Sequence, residues 1–210
     1  MRTKYPRTPH LPWSRPNDDD VQLFDLSRFQ GAEIVVTEKM DGENTTLYSD
    51  GLHARSLDSR HHPSRCQIKQ QHASFATQLP PGWRFCGENL YARHSLAYED
   101  LQGFFYLFAV FDDQGTCLSW DDTCEWAALL ALPTPRLLFR GLFDEKKIRA
   151  LSIDTQRQEG YVMRLAGSFA AAEFSSCIGK WVRSGHVQTD QHWMHGPVIP
   201  NHLAPEARHD

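Results

Sequence analysis

The stretch Glu33-Ile34-Val35-Val36-Thr37-Glu38-Lys39-Met40-Asp41-Gly42-Glu43-Asn44 decides how this sequence is read. Ile34 to Thr37 are all β-branched and predict a strand over 33–38. Asp41-Gly42 is a turn pair, and residues 45–49 predict the returning strand. Lys39 therefore sits where a strand runs into a tight turn, and a glycine there lets backbone approach a phosphate closely. A neutral lysine amine can attack the α-phosphorus of a nucleotide and hold the nucleotide as a phosphoramidate. An ammonium cannot, so this chemistry requires burial or nearby positive charge to lower the Lys39 pKa. By itself the stretch also fits a surface lysine before an ordinary Asp-Gly hairpin turn, so the rest of the chain must decide.

Four later segments supply parts that such a reaction needs, in a workable order. Phe85-Cys86-Gly87-Glu88-Asn89-Leu90 reads as a strand ending in Gly-Glu, whose carboxylate can accept a ribose hydroxyl or hold a metal-bound water. Phe105-Tyr106-Leu107-Phe108-Ala109-Val110-Phe111 is an aromatic strand that can lay a ring on a purine, although core packing accounts for most of its rings. Glu159-Gly160-Tyr161-Val162-Met163-Arg164 places a glutamate before a strand, which suits a divalent metal bridging phosphate oxygens. Lys180-Trp181-Val182-Arg183 offers two cations for phosphate charge.

Between these segments the pattern is α+β. A helix is expected over 65–79 from Ile68, His72, Phe75 and Leu79 at helical spacing, ending before Pro80-Pro81-Gly82. Residues 83–88 and 104–111 read as strands, the latter buried because its apolar run is continuous. Ser119 and Asp122 resemble a capping box for a helix through Leu132, stopped by Pro133. Further strands are expected at 136–139, 161–165 and 178–182, with a helix at 144–151. Strand groups with interspersed helices, lacking a regular βαβ rhythm, predict antiparallel sheets. Residues 1–20, rich in Pro and polar groups, read as an arm or loose lead-in, and 197–210 as a loose tail. The domain is expected to span 21–196.

At 210 residues and a net charge of −4, the chain suits one globular domain with no global electrostatic case for nucleic acid. Basic groups are local: Arg55, Arg60, Arg65 and Lys69 form one cluster and Arg2, Lys4, Arg7 and Arg15 another, each equally an ordinary solvated surface. The five cysteines show no C-x-x-C pairing and read as reduced thiols of a cytoplasmic protein. No apolar run is long enough for a membrane span, and no apolar core follows the basic N-terminus as in a secretory signal. Asp190, His192 and His195 make a metal site conceivable, although such histidines are more often surface or satisfied core residues. No G-x-S-x-G nucleophile elbow is present.

Together the K-x-D-G stretch with Asn44, then F-x-G-E, F-Y-x-F, E-G-Y-V-M-R and the basic strand, resemble the ordered motifs of the covalent nucleotidyltransferases. That superfamily comprises ATP-dependent RNA and DNA ligases and mRNA capping enzymes, and the nearest likeness is to the RNA ligases, from residue 38 to about 194. The resemblance implies a nucleotidyltransferase (ATP-grasp-like) domain, two antiparallel sheets forming a nucleotide cleft with flanking helices. It implies ATP and Mg²⁺ or Mn²⁺ as cofactors, and RNA with 5′-phosphate and 3′-hydroxyl ends as partner. Lys39 would be the adenylated nucleophile, with Glu38 near the adenine and Asp41 and Asn44 orienting the lysine or the phosphates. Arg55 would touch the ribose or the 5′-phosphate end, Glu88 the ribose, and Phe108 would stack on adenine. Glu159 would position the metal, and Lys180 would hold the α-phosphate.

Two departures stand out. The basic motif of the family offers two lysines one residue apart, whereas Val182 follows Trp181 here, and Arg183 is the next cation. Lys180 and Arg183 thus both remain candidates for the α-phosphate. Little chain follows Arg183, so neither an OB-fold domain nor a sizeable RNA-binding domain is expected, against DNA ligase and capping enzyme. The preferred expectation is an ATP-dependent RNA ligase. The alternatives are a guanylyltransferase or an enzyme adenylating another acceptor, and a non-catalytic nucleotide- or RNA-binding module.

Overall fold

The computed structural model describes residues 2–15, 20–23, 25–57, 61–183 and 197–205. The β-branched run forms strand β1 (Glu33–Lys39), and the chain returns as β2 (Glu43–Tyr48) and β3 (Gly51–Ala54). Helix α1 (Cys66–Phe75) follows, then β4 (Arg84–Asn89), β5 (Phe105–Phe111), β6 (Thr116–Cys117) and α2 (Trp120–Leu129). The remaining elements are β7 (Leu137–Leu142), α3 (Glu145–Arg149), β8 (Gly160–Leu165), β9 (Phe169–Ala170), α4 (Phe174–Cys177) and β10 (Ile178–Val182). They make two antiparallel sheets, one in the order β10-β8-β1-β7 and the other β3-β2-β4-β5-β6-β9.

Side-chain alternation decides what each sheet face meets. Leu47, Phe85, Phe105, Leu107 and Val110 cover one face of the six-stranded sheet, and α1 and α2 close it through Ile68, Phe75, Ala127 and Leu130. Ile34, Val36, Tyr161 and Met163 form the outer face of the four-stranded sheet with Ile148 of α3, Leu11, Leu23 and Phe29. Its other face looks at the large sheet, where Val162 touches the cluster of Cys86, Ala109, Phe111, Cys177 and Ile178. Because Thr37 and Lys39 alternate with Val36 and Glu38, Lys39 is delivered to the side facing the large sheet.

The expected elements are present with shifted ends. α1 covers the middle of the predicted helix and is flanked by 3₁₀ turns at Pro63–Arg65 and Ala76–Gln78. At α2 the Ser119 hydroxyl accepts the Asp122 N–H at 3.1 Å, as a capping residue should. That helix ends before Leu132, because Ala131 turns to φ +52°. β3, β6, β9 and α4 were not expected; at two to four residues they are too short to carry a periodicity.

The two ends of the chain correct the reading of loose segments. Leu11 is fully buried, its N–H donates to the Lys180 carbonyl at 2.8 Å, and the Lys180 N–H donates to Pro9 at 2.8 Å. Residues 9–11 thus lie beside the edge of β10, which would otherwise expose unpaired backbone groups. Near the C-terminus, the buried Asn201 side chain accepts the Tyr98 N–H at 3.0 Å and donates to the Leu90 carbonyl at 2.8 Å. Proline and polar residues concealed both attachments, since backbone groups make the bonds at residues 9–11 and a polar side chain makes them at Asn201. Among the described residues no helix is long and apolar enough to cross a membrane.

Candidate active site

Lys39 is the last residue of β1 and pairs with Gly160, the first of β8, so its neighbour across the sheet end is Glu159. The Lys39 ammonium donates a hydrogen bond to Glu159 Oε2 and ion-pairs with it. Glu159 is fully buried. Gly160 makes this junction possible: a Cβ there would lie 2.0 Å from the Trp181 carbonyl of β10, closer than any side chain can come. Gly42 is required for the same reason, because a Cβ would meet the Asn89 carbonyl at 2.5 Å. The glycine expected to admit a phosphate thus admits the end of β4, and its N–H donates to Glu88 Oε1 at 3.1 Å.

The charges around Lys39 correct the expected direction of its pKa. Burial by itself lowers it, but the Glu159, Glu88 and Asp41 carboxylates outweigh burial and hold it above the ordinary lysine value. Glu88 responds oppositely. Burial pushes its carboxyl from the ordinary 4.5 up to about 8, with Lys39 opposing and Glu159 adding to the rise. The sign of the resulting pH dependence follows from linkage. Below pH 4.5 both folded and unfolded states carry the proton; as the pH rises toward about 8 the unfolded chain ionises first and stability is lost. Glu88→Gln cannot ionise, so its melting temperature relative to the ligand-free wild type should climb across that interval. A constant difference over the same pH series would contradict the assignment.

Asp41 reaches away from Lys39. Its Oδ2 accepts Ser95 Oγ at 2.7 Å and the Leu96 N–H at 2.8 Å, while its own N–H donates to the Tyr98 hydroxyl at 3.0 Å. It fastens the Met40–Gly42 turn to residues 95–98 and acts on the lysine through its charge. Nothing local in the sequence signals Ser95 or Tyr98. Asn44 stands opposite Glu88 in the β2–β4 ladder, with Oδ1 buried and unpaired among the described residues. Glu38 lies 3.3 Å from Arg136 Nε. At the start of β2, Glu43 receives the forked Arg65 guanidinium, a buried pair that ties α1 to the turn.

β10 separates the two candidate cations. Lys180 pairs with Val162 in the ladder, and Val162 pairs with Thr37, so Lys180 projects from the same sheet face as Lys39. Burial lowers the Lys180 pKa, and Lys39 and Arg55 push in the same direction against Asp20 and Glu159. Arg183 turns the other way. Its guanidinium donates to the Thr155 carbonyl at 2.9 Å and its N–H to the Glu159 carbonyl at 3.0 Å, which steadies the loop carrying Glu159. Arg55 is exposed, just past β3. Phe108 is half-buried and meets Tyr5 edge-to-face at 5.1 Å, a neighbour that sequence reading missed because it placed residues 1–20 in a loose arm. Asp190, His192, His195 and Arg60 lie outside the described residues.

The donor set suits a hard divalent cation, since carboxylate oxygens are the protein groups present. Among the described residues no three His, Cys, Asp or Glu side chains stand grouped to hold a metal.

Comparisons with known proteins bear on the fold and the family. A search of curated proteins finds no match. Among solved structures, an archaeal ATP-dependent RNA ligase aligns with a TM-score of 0.57 at 19% identity, over 85% of this chain and 48% of that one. The Naegleria gruberi RNA ligase with pyrophosphate aligns with a TM-score of 0.54 at 17% identity, over 75% of this chain and 51% of that one. A lysine-to-alanine variant of the same Naegleria gruberi enzyme, with ATP and Mn, aligns with a TM-score of 0.52 at 17% identity and the same coverages. The chain thus spans about half the length of these structures, and the likeness is one of fold. The RNA ligase family model matches residues 32–182, from the start of β1 to the end of β10, and this chain belongs to the RNA ligase family.

Proposed function

We propose that the protein is an ATP-dependent RNA ligase that joins a 5′-phosphate to a 3′-hydroxyl through a lysyl-AMP intermediate. One observation carries this reading: Lys39 is sheltered among Glu159, Glu88 and Asp41 while Lys180 projects from the same sheet face. Family membership and the likeness to ligases solved with ATP and Mn support it. Lys39 Nζ attacks the α-phosphorus, an N–P bond forms, the bond to the β-phosphate oxygen breaks, and pyrophosphate leaves. Glu159 Oε2 is the atom within reach of the proton that Nζ must lose. Lys180 neutralises charge on the α-phosphate, Glu88 and Asn44 meet the ribose or phosphates, and Glu38 and Phe108 border the adenine. Arg55, exposed near Lys180, receives the 5′-phosphate end. Glu159 would also hold Mg²⁺ or Mn²⁺, which supplies charge neutralisation at the phosphate oxygens.

Intact mass after incubation with ATP and Mg²⁺ or Mn²⁺ tests the first step. A gain of one AMP is expected, followed by its transfer to 5′-phosphorylated RNA and sealing to a 3′-hydroxyl. Labelling by GTP and not ATP would instead make it a guanylyltransferase. Reversible ATP binding with no adduct would reduce it to a binding module.

A further inference from the structure

Lys180 is held by a chain of contacts that begins and ends on its own strand. The Val182 N–H donates to Ser14 Oγ at 3.2 Å, and Ser14 Oγ lies 2.8 Å from His10 Nδ1. The serine hydroxyl and His10 Nδ1 share a hydrogen bond whose donor depends on the imidazole tautomer. His10 Nε2 lies 3.2 Å from Asp20 Oδ2, in polar contact although without the alignment of a full hydrogen bond. The other carboxylate oxygen, Asp20 Oδ1, lies 3.7 Å from Lys180 Nζ.

The backbone fixes each link. His10 bridges Lys180 in parallel register, its N–H donates to Val21 at 2.7 Å, and it accepts the Leu23 N–H at 2.7 Å. His10 and Ser14 are buried, whereas the Asp20 side chain is a quarter exposed. A buried hydroxyl and imidazole that link the Val182 backbone to the carboxylate beside Lys180 are more than an edge strand needs for packing.

We propose that Asp20 and His10 are positioning residues for the nucleotidyl transfer: they hold the Lys180 ammonium in the orientation from which it meets the α-phosphate. This rests on the ligase reading above. The long lysine side chain would otherwise sample many rotamers, and fixing it beforehand lowers the cost of placing it in the transition state.

Single-turnover formation of lysyl-AMP, followed by intact mass across ATP concentrations, tests the proposal. Asp20→Asn should lower the maximal rate about tenfold while the ATP concentration for half-saturation stays within about twofold, because the contact matters in the transition state. In a Lys180→Ala background, Asp20→Asn should cost nothing further, since the two act as one unit. His10→Gln, which keeps a donor near the Nε2 position, should stay within about threefold of wild type, and His10→Ala should match Asp20→Asn. An Asp20→Asn protein as fast as wild type overturns the proposal, as do losses that multiply with that of Lys180→Ala. A wild-type protein that forms no adduct overturns the ligase reading, and this inference with it.

Discussion

Lys39→Met is expected to gain no AMP from ATP with Mg²⁺ or Mn²⁺, and to unfold at a lower urea concentration than the wild-type protein. The first result follows from the loss of the amine that would form the bond to phosphorus, the one seen bonded to Glu159 Oε2. The second follows from burial. The Lys39 side chain is 18% exposed and that of Glu159 1%, so removing the ammonium strands a carboxylate that water cannot reach. Breaking one side of a sheltered pair typically costs about 3–5 kcal/mol, and about 1–3 kcal/mol is expected here because Glu159 can take up a proton instead. Adding Glu159→Gln to Lys39→Met should therefore recover stability without recovering the adduct. Urea unfolding with unchanged slope, read beside intact mass, measures both effects. An AMP adduct on Lys39→Met would place the nucleophile elsewhere.

Gly160→Ala is expected to destroy the site from a position that carries no functional group. Its added methyl would sit 2.0 Å from the Trp181 carbonyl and 3.0 Å from the Val182 Cα, both backbone atoms of the neighbouring strand. No rotamer relieves such a clash, so β8 and β10 must separate locally, at a cost of about 3 kcal/mol or more. Glu159 precedes the glycine and Lys180 lies on the strand pushed away, so both lose their places relative to Lys39. The expected readout is a lower melting temperature together with a loss of lysyl-AMP beyond what the unfolded fraction explains. A variant that melts and adenylates like wild type would show that the two strands tolerate wider spacing.

How much of this was legible beforehand depended on the range of each signal. β1, the turn and β2 were readable because β-branched residues, Asp-Gly and the alternation act over a few neighbours. The Ser119 cap and the strands at β4, β5, β8 and β10 were readable for the same reason. The residue types at Lys39, Glu88, Glu159 and Lys180 were legible as a family pattern. The direction of the Lys39 pKa was not, because it depends on three carboxylates from β4, the turn and the approach to β8 that meet only in the folded chain. Which of Lys180 and Arg183 shares the sheet face of Lys39 was likewise undecided until β10 was paired, since a one-residue change of register would have exchanged their faces.

The ends of the chain mark the same boundary. Proline and polar residues at 2–15 describe a segment with little periodicity, and nothing in them names a partner. Docking against β10 makes residues 9–11 part of the small sheet and places His10 behind Lys180. The sequence by itself thus determined the local elements, their order and the chemical groups available, because those follow from short-range sterics and hydrophobic spacing. Only the tertiary structure decided which groups share a face, which carboxylates surround the lysine and which cation lies on its side of the sheet. Those are properties of strand register and of burial, and both arise from contacts between residues far apart in the chain.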